Sequence, residues 1–252
     1  EIADLISMTQ SQIPVVRADW FLYQASIQKD RKAGYYDFLN LGKKEADFLN
    51  LIGADVKLAK KLRKETAAII GRSIVTLNNR SMTRIPTISG AYWITSDFGA
   101  STDKQNTLRL LDGDTNRPDA QEAYGSLPNG LWAFWLQGGN GDRQDAAPDN
   151  IASDGKSRST DRRIHVGLSC VRCHEEGIRP INDWTRRIYQ PPFSLDSPDY
   201  ELQKRLRSLY LSDLGKLVKR DQDAYADALK ELNGLTPVRA DVTAATYPEI
   251  VA

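Results

Sequence analysis

Cysteine, histidine and methionine are scarce in this chain of 252 residues, which contains two of each. A disulfide-rich scaffold would need more cysteines. No stretch approaches the roughly 20 consecutive apolar residues that span a bilayer. A net charge of +1 gives no reason to expect nucleic-acid binding, and the common nucleotide-binding, metalloprotease and serine-hydrolase motifs are missing. These absences leave an ordinary soluble globular protein whose chemistry depends on very few residues.

Both cysteines and one histidine fall in a single pentapeptide, Cys170-Val171-Arg172-Cys173-His174. CxxCH is the spacing that attaches a c-type haem. The two thiols add to the haem vinyl groups, and the adjacent imidazole coordinates the iron. The sequence therefore predicts one covalent haem c on Cys170 and Cys173, with His174 as an iron ligand.

Three other interpretations of the pentapeptide stay open. A redox dithiol normally lies in a thioredoxin-like βαβ context, for which the residues before Cys170 give no sign. A zinc site needs four ligands, and only His165 could join the motif residues. A disulfide between Cys170 and Cys173 would be strained.

The second axial ligand of the iron decides the function. A strong ligand gives an electron carrier, whereas an open position admits peroxide or a gas. The candidates are Met8 near the start of the chain, Met82, expected in a loop, and His165, only nine residues before His174. We favour a carrier of single electrons, alone or as a subunit of a redox complex, over an enzyme. The alternative is a peroxidase-like or gas-binding haem protein, in which Arg80 or Arg84 could stabilise charge.

Basic residues outnumber acidic ones by eight to four between Lys156 and Arg187. Of these, Arg172 and Arg179 are expected to pair with haem propionates, and others could attract an acidic redox partner. A haem needs flat apolar surface around it, which some of the aromatic residues Trp93, Trp132, Phe134, Trp135 and Trp184 could supply. Trp184 is our candidate wall of the haem pocket.

The pattern of apolar residues predicts a single α+β domain over residues 1–252. Residues 1–72 are expected to be helical, 73–159 β-rich, and 160–252 to hold the haem segment and further helices. The expected strands are Ser73–Leu77, Ala91–Ile94 and Leu131–Leu136. The expected helices include 16–27, Lys44–Ile52, one capped by Asp55 that continues past Ile69 to Gly71, one that begins at Ser197-Pro198-Asp199, and one that ends at Gly234.

Five ordered segments together resemble a poorly characterised family of single-haem c-type cytochrome-like proteins from Gram-negative bacteria. The segments are PVVRADWF at 14–21, NNR at 78–80, GAYW with SDF at 90–98, LPNGL at 127–131, and the CxxCH motif. The resemblance implies haem attachment at Cys170 and Cys173, ligation by His174 and an extracytoplasmic location. One difference is that family members often carry a histidine where this chain has Ile85.

Attachment of a c-type haem takes place outside the bacterial cytoplasm. We therefore expect a periplasmic or otherwise extracytoplasmic protein from which a signal peptide has been removed, since the chain begins at Glu1 without a basic and apolar leader. The partners we expect are redox proteins.

Overall fold

The computed structural model describes residues 34–73, 75–101, 103–106, 109–111, 115–148, 151–155, 162–188 and 200–234. The helices in these ranges are α1 (Tyr35–Phe38), α2 (Glu45–Leu51), α3 (Val56–Lys61), α4 (Leu168–Cys173), α5 (Trp184–Ile188), α6 (Tyr200–Leu209) and α7 (Leu214–Gly234). The strands are β1 (Thr66–Ile70), β2 (Arg80–Thr87), β3 (Gly90–Asp97), β4 (Ala120–Ser126) and β5 (Trp132–Gly138). The protein is thus an α+β fold, as the sequence predicted.

The five strands form one antiparallel sheet in the order β1-β2-β3-β4-β5. Side chains alternate between the two faces of each strand. We call the face that carries Met82, Trp93 and Tyr124 the front face, and the face that carries Ile85 and Trp135 the back face. The register supports this division, because Trp93 pairs with Tyr124 across β3 and β4, and Trp135 pairs with Ala123 across β4 and β5.

The back face is covered by the helices that precede the sheet. Phe48 of α2 is fully buried and stacks on Trp135 with ring centroids 5.7 Å apart. Tyr36 of α1 meets the same indole edge to face at 5.1 Å. The rings of large aromatic residues therefore form the core on this side.

Both edges of the sheet are capped by hydrogen bonds from outside it. At the β5 edge, the Tyr35 hydroxyl accepts a hydrogen bond from the Phe134 amide at 2.9 Å. The Tyr36 hydroxyl accepts one from the Leu136 amide at 2.8 Å. At the β1 edge, the Thr185 hydroxyl of α5 accepts the Ile69 amide at 2.6 Å. Such capping satisfies backbone groups that an open edge would expose.

Three of the predicted strands can be compared with the structure. The two at Ala91–Ile94 and Leu131–Leu136 are confirmed as β3 and β5, and β5 is buried along its whole length. The strand predicted at Ser73–Leu77 is wrong, because its described residues lie in the connection between β1 and β2.

The helical predictions are partly confirmed. The helix expected at Lys44–Ile52 is α2, and Asp55 caps α3 by accepting the Leu58 amide at 2.8 Å. Ile69 does not continue α3 but lies in the middle of β1, so the expectation of an all-helical region up to residue 72 is wrong. Tertiary pairing with β2 overrides local pattern here.

The last predicted helix ends at Gly234, as α7 does. The helix expected at 16–27 and the helix start at Ser197 lie outside the described residues. Among the described helices, none combines the length and apolar character that crossing a bilayer requires.

Candidate functional site

The CxxCH segment forms the short helix α4 and its C-terminal cap. Gly167 precedes the helix with a φ of +79°, a left-handed conformation that suits glycine. Cys170 and Cys173 are three residues apart in this helix, so their side chains share one face. Both thiols are free; Cys170 is buried and Cys173 is half-buried. The helix therefore offers two unpaired sulfurs on one side.

His174 is the C-cap of α4 and has a fixed ring orientation. Its backbone amide donates to the Cys170 carbonyl at 2.8 Å, and its ring Nδ1 lies 3.1 Å from the Gly177 carbonyl. A carbonyl can only accept, so Nδ1 carries the proton and donates it. The Nε2 lone pair is then available to a metal, the arrangement typical of metal-binding histidines.

Aromatic rings from the front face surround the His174 imidazole. Its ring centroid lies 5.5 Å from that of Tyr124, 5.7 Å from that of Phe134 and 6.4 Å from that of Trp132. Tyr225 of α7 stacks on Trp132 at 4.3 Å. The imidazole is thus held in an apolar, aromatic environment between the sheet and α7.

This environment favours the neutral imidazole. Burial lowers the pKa of His174, and the nearby Glu122 carboxylate only partly offsets that effect. Burial likewise raises the pKa of the Cys170 thiol well above its ordinary value. A neutral imidazole is the form that ligates a metal, whereas a protonated buried thiol is a poor free nucleophile.

A buried charge network lies on the front face beside this site. Arg80 Nε is 2.6 Å from Asp97, and its Nη2 is 3.0 Å from Glu122. Burial raises the pKa of Asp97 despite Arg80. For Glu122, burial also opposes ionisation, but the charge of Arg80 and its hydrogen bond hold the pKa below the ordinary value. Despite burial, both carboxylates raise the pKa of Arg80, Asp97 more than Glu122, so the guanidinium stays charged between them.

A second buried arginine connects the sheet to α7. Arg84 donates through Nε and Nη2 to Asp221 at 2.7 and 3.0 Å, and the Trp93 indole donates to the same carboxylate at 2.8 Å. Arg80 and Arg84 thus both have buried carboxylate partners. Such pairing makes either arginine poorly suited to stabilise charge on a bound peroxide.

The loop at 151–155 is attached to α4 through a buried carboxylate. Asp154 accepts the Ser169 hydroxyl at 2.7 Å and pairs with Arg172. Since Ser169 and Arg172 bracket Cys170 in the helix, Asp154 fixes the rotation of α4 about its axis. Arg172, a predicted propionate partner, has its guanidinium directed to this carboxylate.

Arg179, the other predicted propionate partner, lies close enough to influence the charge on His174. Its Nε is buried and has no hydrogen-bond partner within the described parts of the chain. The Tyr124 hydroxyl, next to the imidazole, is likewise buried and has no partner there. Arg179 and Tyr124 therefore each have a buried polar atom without the partner that such atoms normally have.

Trp184 is not brought to His174. It begins α5 beyond the β1 edge, where a Cβ added to Gly71 would lie 2.5 Å from the indole nitrogen. His174 contacts rings of β4 and β5 instead. Three strand spacings of ~4.8 Å separate β1 from β4, so the structure places Trp184 away from this site.

Of the three candidates for a second iron ligand, Met8 lies outside the described residues, and Met82 and His165 have different surroundings. Met82 lies in β2 rather than in a loop, so that expectation is wrong, and its side chain is buried on the front face in the same cluster as Cys170. His165 forms an isolated bridge with Ala146, and its carbonyl accepts the Ser169 amide at 3.0 Å as α4 begins. Ile85 lies on the back face, so a histidine at this position would be on the other side of the sheet from His174.

No known family model matches this chain, and neither a curated protein nor a solved structure matches it. Within the described ranges, no cluster of three or more cysteine, histidine or acidic residues could hold a metal ion. The donors at this site are therefore the pair of thiols and the single imidazole.

Several residues of the site were missed in the sequence. Tyr124, Glu122 and Gln222 carry no motif. Trp132 and Phe134 were not missed, since both were among the aromatic residues expected to supply flat apolar surface, and the structure places both beside His174. Glu122 lies between Ala120 and Tyr124 on one face of β4, and both of these residues are buried. A charged residue in such a position was a usable signal, because it indicates a partner of opposite charge.

Proposed function

We propose that this protein is a monohaem c-type cytochrome that carries single electrons between extracytoplasmic redox partners, alone or as a subunit of a larger complex. The observation that supports it most is the geometry of α4. Its two free thiols share one helix face, and His174 follows with Nε2 left available by the bond from Nδ1 to Gly177. The resemblance to single-haem c-type cytochrome-like proteins agrees with this proposal.

The donor set suits a covalent haem better than it suits the alternatives. A zinc ion needs four ligands, and no such cluster exists among the described residues. An exchange-active dithiol needs a lowered thiol pKa, whereas burial raises that of Cys170. In covalent haem attachment, two thiols on one side of a helix would add across the two vinyl groups of the haem, and the adjacent imidazole would ligate the iron.

An unpartnered buried donor in the region of His174 also fits a haem. Arg179 Nε is a buried hydrogen-bond donor without a partner among the described residues, and a haem propionate could accept its hydrogen bond. The rings of Tyr124, Trp132 and Phe134 supply apolar surface on the same side of the sheet. Arg179 would hold a propionate, and these rings would exclude water from the iron ligand.

A bound haem would supply the one-electron couple. The protein's own contribution is to keep His174 neutral and oriented, because a burial-lowered pKa disfavours imidazolium and the Gly177 carbonyl holds the Nδ1 proton. The buried pairs of Arg80 and Arg84 provide fixed charges in an apolar layer. Such preorganisation lets an electron enter and leave with little rearrangement of the protein.

An optical spectrum of the protein, produced in a host that matures c-type cytochromes, tests this function. We expect a low-spin, six-coordinate haem in both oxidation states that binds carbon monoxide slowly. High-spin ferric haem that binds carbon monoxide rapidly after reduction would support the alternative, a ligand-binding or peroxidase-like protein. The spectrum of His174→Ala is compared with that of the wild type. This variant lacks the proposed iron ligand and should lose the low-spin spectrum.

A further inference from the structure

The side-chain amide of Gln222 brackets the backbone segment that holds His174. Its Oε1 accepts the Ile178 amide at 2.6 Å, and its Nε2 donates to the Glu176 carbonyl. One amide group of α7 therefore makes hydrogen bonds on both sides of Gly177. The two hydrogen bonds together fix the position and the rotation of this peptide segment.

Gly177 is the residue whose carbonyl accepts the His174 Nδ1 proton. It is buried and has a φ of +101°, a conformation that L side chains rarely adopt. A Cβ at this position would overlap the Gln222 amide. The glycine is therefore needed for the close approach of Gln222, and the two residues form one packed unit.

Helix α7 is itself fixed to the sheet at two points next to Gln222. Asp221 accepts hydrogen bonds from Arg84 and Trp93 at 2.7 and 2.8 Å. Tyr225, one turn later, stacks on Trp132 at 4.3 Å. Gln222 is thus presented from a rigid support rather than from a mobile loop.

We propose that Gln222 is a positioning residue for the iron-binding imidazole. Its amide aims the Gly177 carbonyl at His174 Nδ1, and this bond sets how strongly Nε2 donates to the iron. The inference rests on the function proposed above. Hydrogen bonds to the second nitrogen of a ligating histidine fix its orientation and raise its basicity, which favours ferric over ferrous iron.

The test compares midpoint potentials of the haem-loaded protein and two variants. Gln222→Met keeps the length of the side chain but removes both hydrogen bonds. Gln222→Glu keeps the acceptor for Ile178 and loses the donor to Glu176. We expect Gln222→Met to shift the ferrous to ferric ratio at a fixed potential by about tenfold toward ferrous, which is ~59 mV for one electron. Gln222→Glu should show a smaller shift.

The control is Ala224→Met, a neutral change at an exposed position of α7. It should leave the potential unchanged. Amide hydrogen exchange at Ile178 gives a second measurement, which should become faster in Gln222→Met. A purely structural role for Gln222 would lower thermal stability without moving the potential.

The outcomes separate this inference from the proposed function. Wild-type protein that carries haem, with a Gln222→Met potential equal to its own, would overturn only the role of Gln222. Wild-type protein that never acquires haem would overturn both. A shift in Gln222→Met that is partly restored in Gln222→Glu and missing in Ala224→Met would establish the positioning role.

Discussion

Arg84 on β2 and Asp221 on α7 form a buried, bidentate ion pair that joins the sheet to the last described helix. The two hydrogen bonds are 2.7 and 3.0 Å long, and the two side chains are only 5% and 8% exposed. Trp93 donates a third bond to the same carboxylate. The same helix carries Gln222 and Tyr225, so the pair anchors to the sheet the helix that contacts the Ile178 amide and the Trp132 ring.

Replacing Asp221 by alanine should destabilise the protein by about 3–5 kcal/mol, because it leaves the Arg84 guanidinium buried and unpaired. Urea unfolding measures this loss. The control is Asp227→Ala, which removes an exposed pair with Lys230 on the same helix and should change stability by less than about 1 kcal/mol. A double variant, Arg84→Met with Asp221→Leu, should recover part of the loss. Equal effects of Asp221→Ala and Asp227→Ala would contradict the structural role.

Tyr36→Phe should cost about 1–3 kcal/mol, because it leaves the buried Leu136 amide without its acceptor at the β5 edge. The same change also removes the hydrogen bond that the hydroxyl donates to the backbone carbonyl of Gln144 at 2.9 Å. Chemical unfolding measures the cost. Tyr225→Phe is the matched control, since it keeps the stack on Trp132 and should change stability little. A neutral Tyr36→Phe would mean that the hydroxyl does not cap the edge.

Stability should fall as the pH rises above about 10. Burial raises the pKa of Tyr35, Tyr36, Tyr92 and Tyr124 in the folded protein, whereas tyrosine in the unfolded chain ionises near pH 10. The unfolded state therefore loses protons that the folded state retains, and stability that is complete below pH 10 is lost above it. Unfolding curves at increasing pH test this, with tyrosinate absorbance recorded in parallel. Ionisation of these four residues without loss of structure would be the contrary result.

A six-coordinate haem requires a second strong ligand, for which Met82 and His165 are the candidates among the described residues. Met82→Leu and His165→Ala are compared by their spectra. We expect the variant that removes the ligand to become high-spin and to bind carbon monoxide rapidly, while the other stays low-spin. Low-spin spectra from both variants would exclude both residues and direct attention to the chain outside the described residues.

The sequence allowed the α+β class, β3, β5 and α2 to be predicted, because each depends on local pattern. The strand β5 is a continuous apolar run, and CxxCH is a covalent requirement at fixed spacing. The strands β1, β2 and β4 were missed for physical reasons. The residues of β1 also fit the helical pattern that begins after Asp55, and pairing with β2 makes them a strand. Arg80 and Arg84 look like surface residues until Asp97 and Asp221 pair with them across long sequence distances.

The site could be predicted only where a motif marks it. Cys170, Cys173 and His174 are evident from spacing, but the surroundings of His174 arise from pairing between β4 and β5 and from packing of α7. Trp184 illustrates the limit, since it follows the motif closely in sequence yet lies beyond the opposite edge of the sheet. Sequence proximity does not predict proximity across a five-stranded sheet.

Covalent attachment of one haem is the central claim, and the intact mass of the denatured protein tests it most directly. We predict that protein matured in a competent host has the mass of the polypeptide plus one haem, and that Cys170→Ala together with Cys173→Ala abolishes this addition. A wild-type mass equal to that of the bare polypeptide, with no Soret absorbance, would contradict the account.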